Sequence, residues 1–137
     1  MRNTEEIVTV DELKGLLEKP SRPRAYVGYE TSGKVHLGHM LTANKLLDLQ
    51  RAGFDVVVLL ADLHAFLHEK GTLEEVRQIA DYNRDCFMAL GLDPERTEFV
   101  YGTDYQLQPD FMLKILQMAR NTSLNRARRS MDEVSRN

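Results

Sequence analysis

Two histidines, His36 and His39, stand in the string S-G-K-V-H-L-G-H at residues 32–39. On a helix, a spacing of three puts both imidazoles on one face, where they can serve as hydrogen-bond donors to a ligand oxygen. Gly38 between them has no side chain, so a flat ring such as adenine can approach the backbone there. Lys34 adds a cation two residues earlier, read either as exposed on a loop or as a direct phosphate contact. Upstream, residues 25–29 (A-Y-V-G-Y) are rich in β-branched and aromatic types and predict a short buried strand. Thr31, Ser32 and Gly33 are turn formers. From His36 onward the period changes: Leu37, Met40, Leu41, Leu46 and Leu47 recur at helical spacing as far as Gly53. A strand that turns through glycine into a helix N-terminus presents free N–H groups and the positive end of the helix dipole, a ready site for phosphate. Taken alone, an H-x-x-H pair reads as a pair of ordinary helix caps.

The elements that must hold this site follow from pattern. Residues 4–18 carry an expected helix start at T-V-D-E-L (9–13), with Leu13, Leu16 and Leu17 on one face, then a breaker-rich linker at residues 19–23 and a strand at residues 24–30. After the helix at 36–52, with Gly53 as its C′ residue, the apolar run at 55–61 (D-V-V-V-L-L-A) predicts a strand covered on both faces. Strand, helix, strand is a βαβ unit with parallel pairing and a right-handed crossover. Ligands in such sheets bind beyond the carboxyl ends of the strands, here Tyr29-Glu30 and Ala61-Asp62-Leu63-His64, each expected to run into a loop. Thr72 and Glu75 form a T-x-x-E capping box opening a helix to about residue 90, with Leu73, Val76, Ile79, Ala80, Phe87 and Leu90 inward and Cys86 in the core. Residues 97–101 predict a third strand, ending at G-T-D-Y-Q. Pro109 opens a further helix, and a last helical stretch covers 124–134. His64 and His68 are four apart and raise the question of a metal. They lack the glutamate of H-E-x-x-H, and no third ligand stands at a suitable spacing, so no metal site is expected.

The 137 residues suit one domain with a real core, and 42% hydrophobic content is ordinary for a globular protein. No run of 18 apolar residues occurs, the N-terminus lacks a signal-peptide core, and the single cysteine cannot form an internal disulfide; together these predict a cytoplasmic protein with no membrane contact. The net charge of −3 does not advertise a nucleic-acid binder, yet Arg120, Arg126, Arg128 and Arg129 cluster late in the chain. They read as a solvated helix face paired with Asp132 and Glu133, or as a local basic patch.

S-G-K-V-H-L-G-H closely resembles the His-Ile-Gly-His signature of class I aminoacyl-tRNA synthetases. Y-V-G-Y-E-T-S-G-K-V-H-L-G-H, with L-L-A-D-L-H-A, G-T-D-Y-Q-L and N-R-A-R-R-S-M, resembles the tyrosyl-tRNA synthetases of archaeal and eukaryotic type over nearly the whole chain. The resemblance implies an α/β fold: the first half of a Rossmann-like parallel sheet flanked by helices at residues 23–107. An N-terminal helix and linker at 1–22 precede it, and a helical segment at 108–137 resembles the start of a dimer and acceptor-stem insertion. It implies tyrosine–tRNA ligase chemistry, in which the tyrosine carboxylate attacks the α-phosphate of ATP, pyrophosphate leaves, and tyrosine passes to tRNA-Tyr. Such transfers need alignment and charge stabilisation more than covalent help. His36 and His39 are assigned to stabilising the transferring phosphate. ATP is then expected at Gly28, Gly38, His36, His39 and Lys34, as a substrate accompanied by Mg2+ held mostly through phosphates, with no bound cofactor. Tyr26, alone a core-filling strand aromatic, becomes the reader of the substrate phenol. Leu59, Ala61, His64, Tyr105 and Gln106 match positions around the substrate ring, and Arg126, Arg128 and Arg129 become candidates for tRNA contact.

Relatives of this type continue well past R-A-R-R-S-M, carrying a second acid that reads the phenol, the residues that hold the amino group, a lysine-rich loop and an anticodon domain. The chain is therefore expected to be an N-terminal fragment with little activity alone, from an enzyme that is a homodimer at full length. Phe111, Met112 and Ile115 are expected to be interfacial. The alternatives are a truncated, non-catalytic paralogue that binds nucleotide, tRNA or a partner, and a tryptophan–tRNA ligase.

Overall fold

The computed structural model describes residues 4–18 and 21–134, the last three in backbone only. Lys19 and Pro20 of the expected linker, the side chains of Asp132 and Glu133, and residues 135–137 lie outside this description. The element order is α1 (Val10–Glu18), β1 (Arg24–Tyr29), α2 (Leu37–Arg51), β2 (Asp55–Leu60), α3 (Asp62–Leu67), α4 (Leu73–Ala89), β3 (Thr97–Tyr101), α5 (Gly102–Gln106), α6 (Pro109–Arg120) and α7 (Leu124–Val134). The chain forms two compact units, residues 1–103 and 104–137.

In the first unit the strands lie in the order β1-β2-β3, both pairings parallel, with Tyr26 opposite Val57, Gly28 opposite Leu59 and Leu59 opposite Val100. Side chains alternate across a sheet, so this register sorts the strand residues into two faces. One face carries Ala25, Val27 and Tyr29 with Val56, Val58 and Leu60 and with Phe99 and Tyr101. It packs into a single core with Ala43 and Leu46 of α2 and Ala80 and Phe87 of α4. The other face carries Arg24, Tyr26 and Gly28, then Val57 and Leu59, then Glu98 and Val100. Its residues are half-buried or exposed, although the apolar run of β2 predicted cover on both sides. Arg24 and Glu98 form an ion pair across it.

Local chemistry sets the boundaries. Thr72 Oγ1 accepts from the Glu75 amide at 3.2 Å and Glu75 Oε2 accepts from the Thr72 amide at 2.8 Å, the reciprocal cap the sequence predicts. Gly53 lies at φ 100° just past the C-cap of α2, where a side chain would be strained. Several expectations are corrected. Residues 62–67 form a short helix rather than a loop, and residues 102–106, read as the end of the third strand, form another. Leu73 is 40% exposed and Ile79 and Cys86 are half-buried, whereas Val76, Ala80 and Phe87 are fully inward. Leu37 and Leu41 share the helical period of α2 yet are 77% and 74% exposed, because Ala43, Leu46 and Gln50 face the core.

A buried polar cluster ties the carboxyl ends of β2 and β3 to α4. Asp62 is fully buried; its Oδ1 accepts from the amides of Leu63 and Thr103, each at 2.8 Å, and its Oδ2 from the Thr103 hydroxyl at 2.5 Å. Arg77 of α4 lies 3.6 Å from Oδ2 and donates to Thr103 Oγ1 at 3.0 Å. Its guanidinium sits 3.6 Å from the centroid of the Tyr101 ring. Tyr101 donates to Asp81 at 2.5 Å and accepts from Arg84 at 3.0 Å. Burial, with the bond to Asp81 adding to it, pushes the Tyr101 phenol up to about 12.

In the second unit α6 and α7 leave Leu113, Leu116, Met118 and Leu124 exposed. The Tyr105 ring stands edge-on to Phe111 at 5.3 Å.

Candidate active site

The site begins where β1 hands over to α2. His36 is the N-cap of α2, in extended backbone at φ −136° and ψ −179°. Its Nδ1 accepts from the Gly38 amide at 3.1 Å, and the His39 Nδ1 accepts from the His36 amide at 3.3 Å. This is a capping box built from histidines, where serine or threonine with glutamate is the common choice. Its chemical consequence is the tautomer. An Nδ1 that accepts carries no proton, so each neutral ring carries its proton on Nε2. The rings stand 4.1 Å apart at 60°. Burial, and then the nearby His36, lower the His39 pKa, which keeps this ring neutral and its Nε2–H a donor at neutral pH. His36 is exposed and His39 half-buried, so the two donors sit at the surface beside a helix N-terminus.

Beneath His39 the ring of Tyr29 lies 5.9 Å away and that of Phe87 lies 6.4 Å away. The Tyr29 hydroxyl donates to Thr42 Oγ1 at 2.8 Å, and Thr42 in turn donates to the His39 carbonyl at 2.9 Å. The helix start is thus braced by strand β1 and by α4 together. A Cβ placed on Gly38 would lie 2.9 Å from His36 Cε1, so this glycine is the room in which the capping ring sits.

Tyr26, Gly28 and Leu59 share the open face of the sheet. Tyr26 is 68% exposed, which removes the core-filling reading of this residue. A Cβ at Gly28 would meet the Tyr26 hydroxyl at 3.4 Å and Leu59 Cδ2 at 3.7 Å. The bare glycine leaves about the space of one methyl between the Tyr26 phenol and the Leu59 side chain. Ala61 and His64 follow at the carboxyl end of β2. The Ala61 amide donates to the Tyr29 carbonyl at 2.8 Å, locking the ends of β1 and β2 side by side. Lys34 is exposed and lines a cavity of about 490 Å³ with Lys70, Glu75 and Gln78.

Tyr105 and Gln106 lie on α5 in the second unit. Arg126, Arg128 and Arg129 are exposed on α7 of that unit, and Arg129 Nε donates to the Asn125 carbonyl at 3.4 Å.

Sequence reasoning passed over Thr31, Asp62 and Glu30. Thr31, read as a turn former, is fully buried and donates to the Val76 carbonyl at 3.4 Å. Asp62, at a strand end beyond which ligand is expected, is instead the fully buried hub described above. The signal for Asp62 was its position: a lone carboxylate ending an apolar strand can be buried only if donors converge on it. Glu30 carries a buried Oε1 without a hydrogen-bond partner among the described residues.

Comparison with known proteins fits this arrangement. Curated tyrosine–tRNA ligases from Methanosarcina mazei and Archaeoglobus fulgidus are 67% and 63% identical over 135 residues. Each alignment covers 98% of this chain and 43% or 42% of the relative, so the chain spans less than half the length of these relatives. The crystal structure of the A. fulgidus tyrosyl-tRNA synthetase, complexed with L-tyrosine, superposes with a TM-score of 0.87 at 62% identity, over 99% of this chain and 43% of that one. A tryptophanyl-tRNA synthetase from Aeropyrum pernix gives 0.65 at 37% identity, over 77% of this chain and 29% of that one. The family profile described as tRNA synthetases class I (W and Y) matches residues 18–137. With the histidine-capped turn at the head of α2 and the tyrosine on the open sheet face both inside that match, the chain belongs to the class I tRNA synthetases of the tryptophan and tyrosine group.

Proposed function

We propose that these residues serve tyrosine activation in a tyrosine–tRNA ligase. The observation that carries the reading is the Tyr26 hydroxyl on the open sheet face, set against the gap left by Gly28 and beside Leu59. The ring of a bound tyrosine lies over the open sheet face beside Gly28, walled by Leu59 and Ala61, and its phenol pairs with Tyr26. ATP lies over the start of α2, where Gly38 admits the adenine and Gly28 leaves room against the backbone. The Nε2–H groups of His36 and His39 donate to oxygens of the α-phosphate as the tyrosine carboxylate attacks it. They gain strength as negative charge builds there. Pyrophosphate leaves with Mg2+, which enters with ATP as part of the substrate. Lys34 steadies the phosphates. The arginines of α7 meet the tRNA-Tyr acceptor end through its phosphates, and the exposed apolar face of α6 joins a second copy of the enzyme.

Support for tyrosine over tryptophan comes from sequence identity: 67% and 63% to the two tyrosine–tRNA ligases over 98% of this chain, against 37% to the tryptophanyl enzyme over 77% of it. The described residues offer one wall of a pocket, so on their own they hold the amino acid weakly.

The test is amino-acid-dependent ATP–pyrophosphate exchange. It is run with the 137-residue chain alone and after adding a polypeptide that supplies the remaining length of a curated relative. Exchange is expected with tyrosine and not with tryptophan or phenylalanine, rising strongly on mixing. Tyr26→Phe should cut the preference for tyrosine over phenylalanine about tenfold, the worth of one hydrogen bond to a desolvated hydroxyl. No exchange in either format would refute the enzyme reading and favour a nucleotide- or tRNA-binding module.

A further inference from the structure

The expectation of no metal rested on the lack of a third ligand near His64 and His68 in sequence. The fold supplies one from another strand. Glu30 follows β1, His64 lies in the first turn of α3 after β2, and β1 and β2 are parallel neighbours, so their carboxyl ends come together. One donor atom from each of Glu30, His64 and His68 lies within 4.8 Å of the others. The two imidazoles, four apart in sequence, have ring centroids 4.1 Å apart. His68 Nδ1 faces Glu30 Oε1 at 3.5 Å, within ion-pair range but too long for a good hydrogen bond.

A second observation points the same way. Glu30 Oε1 is buried and has no hydrogen-bond partner among the described residues. Buried carboxylate oxygens ordinarily find a donor, and one that faces two imidazoles without bonding either has the setting of a metal ligand. We propose that Glu30, His64 and His68 form a site for a zinc-class divalent cation at the carboxyl ends of β1 and β2.

The donor set selects the ion. Two imidazoles and one carboxylate are the three-ligand set that leaves zinc a fourth, open position for water. Mg2+ and Ca2+ prefer all-oxygen shells and compete poorly for nitrogen. Tetrahedral bonds of about 2.1 Å place ligand atoms about 3.4 Å apart. The 4.8 Å limit on the present spacing therefore needs a closure of at most about 1.4 Å, which side-chain rotation supplies. The exposed positions of His64 and His68 give the ion an entry path. The site stands apart from His36 and His39, whose Nδ1 atoms are already taken by the cap of α2.

The chain has four histidines, so two pairs divide the possibilities. Zn2+ is titrated into the chain by calorimetry, with Co2+ as the spectroscopic probe, in excess Mg2+. The expected result is one Zn2+ per chain and a Co2+ spectrum of low coordination number. The imidazole resonances of His64 and His68 should shift while those of His36 and His39 stay in place. Glu30→Gln and His68→Ala, each checked for an unchanged melting curve, should weaken binding by more than the roughly 10–100-fold that loss of a supporting partner alone costs. A His36→Ala/His39→Ala double variant should bind as before. The proposal is overturned if Zn2+ does not bind, if excess Mg2+ displaces it, or if the resonances that move belong to His36 and His39. The resonance readout needs no variant, so a substitution that disturbs folding does not protect the proposal.

Discussion

Replacing Gly38 by alanine should separate the structural from the chemical work of the histidine cap. The new Cβ would lie 2.9 Å from His36 Cε1 and 3.1 Å from His36 Nδ1. Both atoms belong to a ring at the end of an exposed side chain, so the ring swings aside and the backbone stays. Losing an N-cap costs about 1 kcal/mol, while alanine in place of glycine inside a helix gains about 0.8–1 kcal/mol. These nearly cancel, and the melting temperature should stay within about 3 °C of the parent. The position of the His36 Nε2–H, the donor in the proposed reaction, is not protected by that cancellation. Removing one donor from a developing oxyanion typically costs about 10²–10³-fold in rate, so amino-acid-dependent exchange in the mixed system should fall by about that much. The ring's own state is read by long-range proton–nitrogen correlation spectra. His36 should show the Nε2–H tautomer in the parent and a mixture in the variant, since the Gly38 amide no longer holds Nδ1. A loss of stability above about 3 kcal/mol would mean that the backbone moves. An unchanged His36 tautomer would mean that the ring keeps its cap. Either result refutes the reasoning.

Three further outcomes follow from the polar groups. Asp62→Ala leaves the Thr103 amide and hydroxyl and the Arg77 guanidinium without their shared acceptor; it should cost about 3–5 kcal/mol in urea unfolding, and a loss under about 1 kcal/mol would show that the cluster does not hold the strand ends. His39 has a folded pKa below its ordinary value, so its contribution to stability is complete above about pH 6.5 and is lost as pH falls through the lower, folded value; melting curves from pH 8 to 5 should show a steeper decline for the parent than for His39→Gln, and equal slopes would contradict this. Tyr101 shifts the other way, its phenol pushed up to about 12 from 10.0, so its contribution is complete below pH 10 and lost as pH rises towards 12; phenolate absorbance should lose its latest-titrating component in Tyr101→Phe, and a late component that persists in that variant would exclude Tyr101 as its source.

The parallel sheet, the crossover and the caps of α2 and α4 are legible in the sequence because each rests on a local signal: β-branched runs, T-x-x-E, and a glycine after the last helical residue. The short helices α3 and α5 are not. Five or six residues carry too little periodicity to announce a helix, and both form where buried Asp62 gathers donors from three elements. The open sheet face was hidden for a related reason. Val57 and Leu59 are as apolar as Val56 and Val58, and only the register shows that one set faces the core while the other lies on the open face. Glu30 escaped because its partners lie more than thirty residues away, where a search by spacing does not look.

The two readings of H-x-x-H, cap or catalytic pair, do not exclude each other: the cap is observed, and the proposed catalytic use is compatible with it. A ring that caps through Nδ1 has its proton fixed on Nε2, its plane oriented, and its distance from the helix dipole set, all before any substrate arrives. Serine or threonine would cap as well and leave no donor over. A histidine held elsewhere would donate as well and need ordering at the moment of reaction. Using one ring for both tasks charges the ordering to folding rather than to the chemical step, which is the sense in which a preorganised donor is worth more than a mobile one. The need for a bare residue at Gly38 then follows from the cap itself: the capping ring occupies the space a side chain would take, and on the proposed reading the same bare backbone would admit the nucleotide.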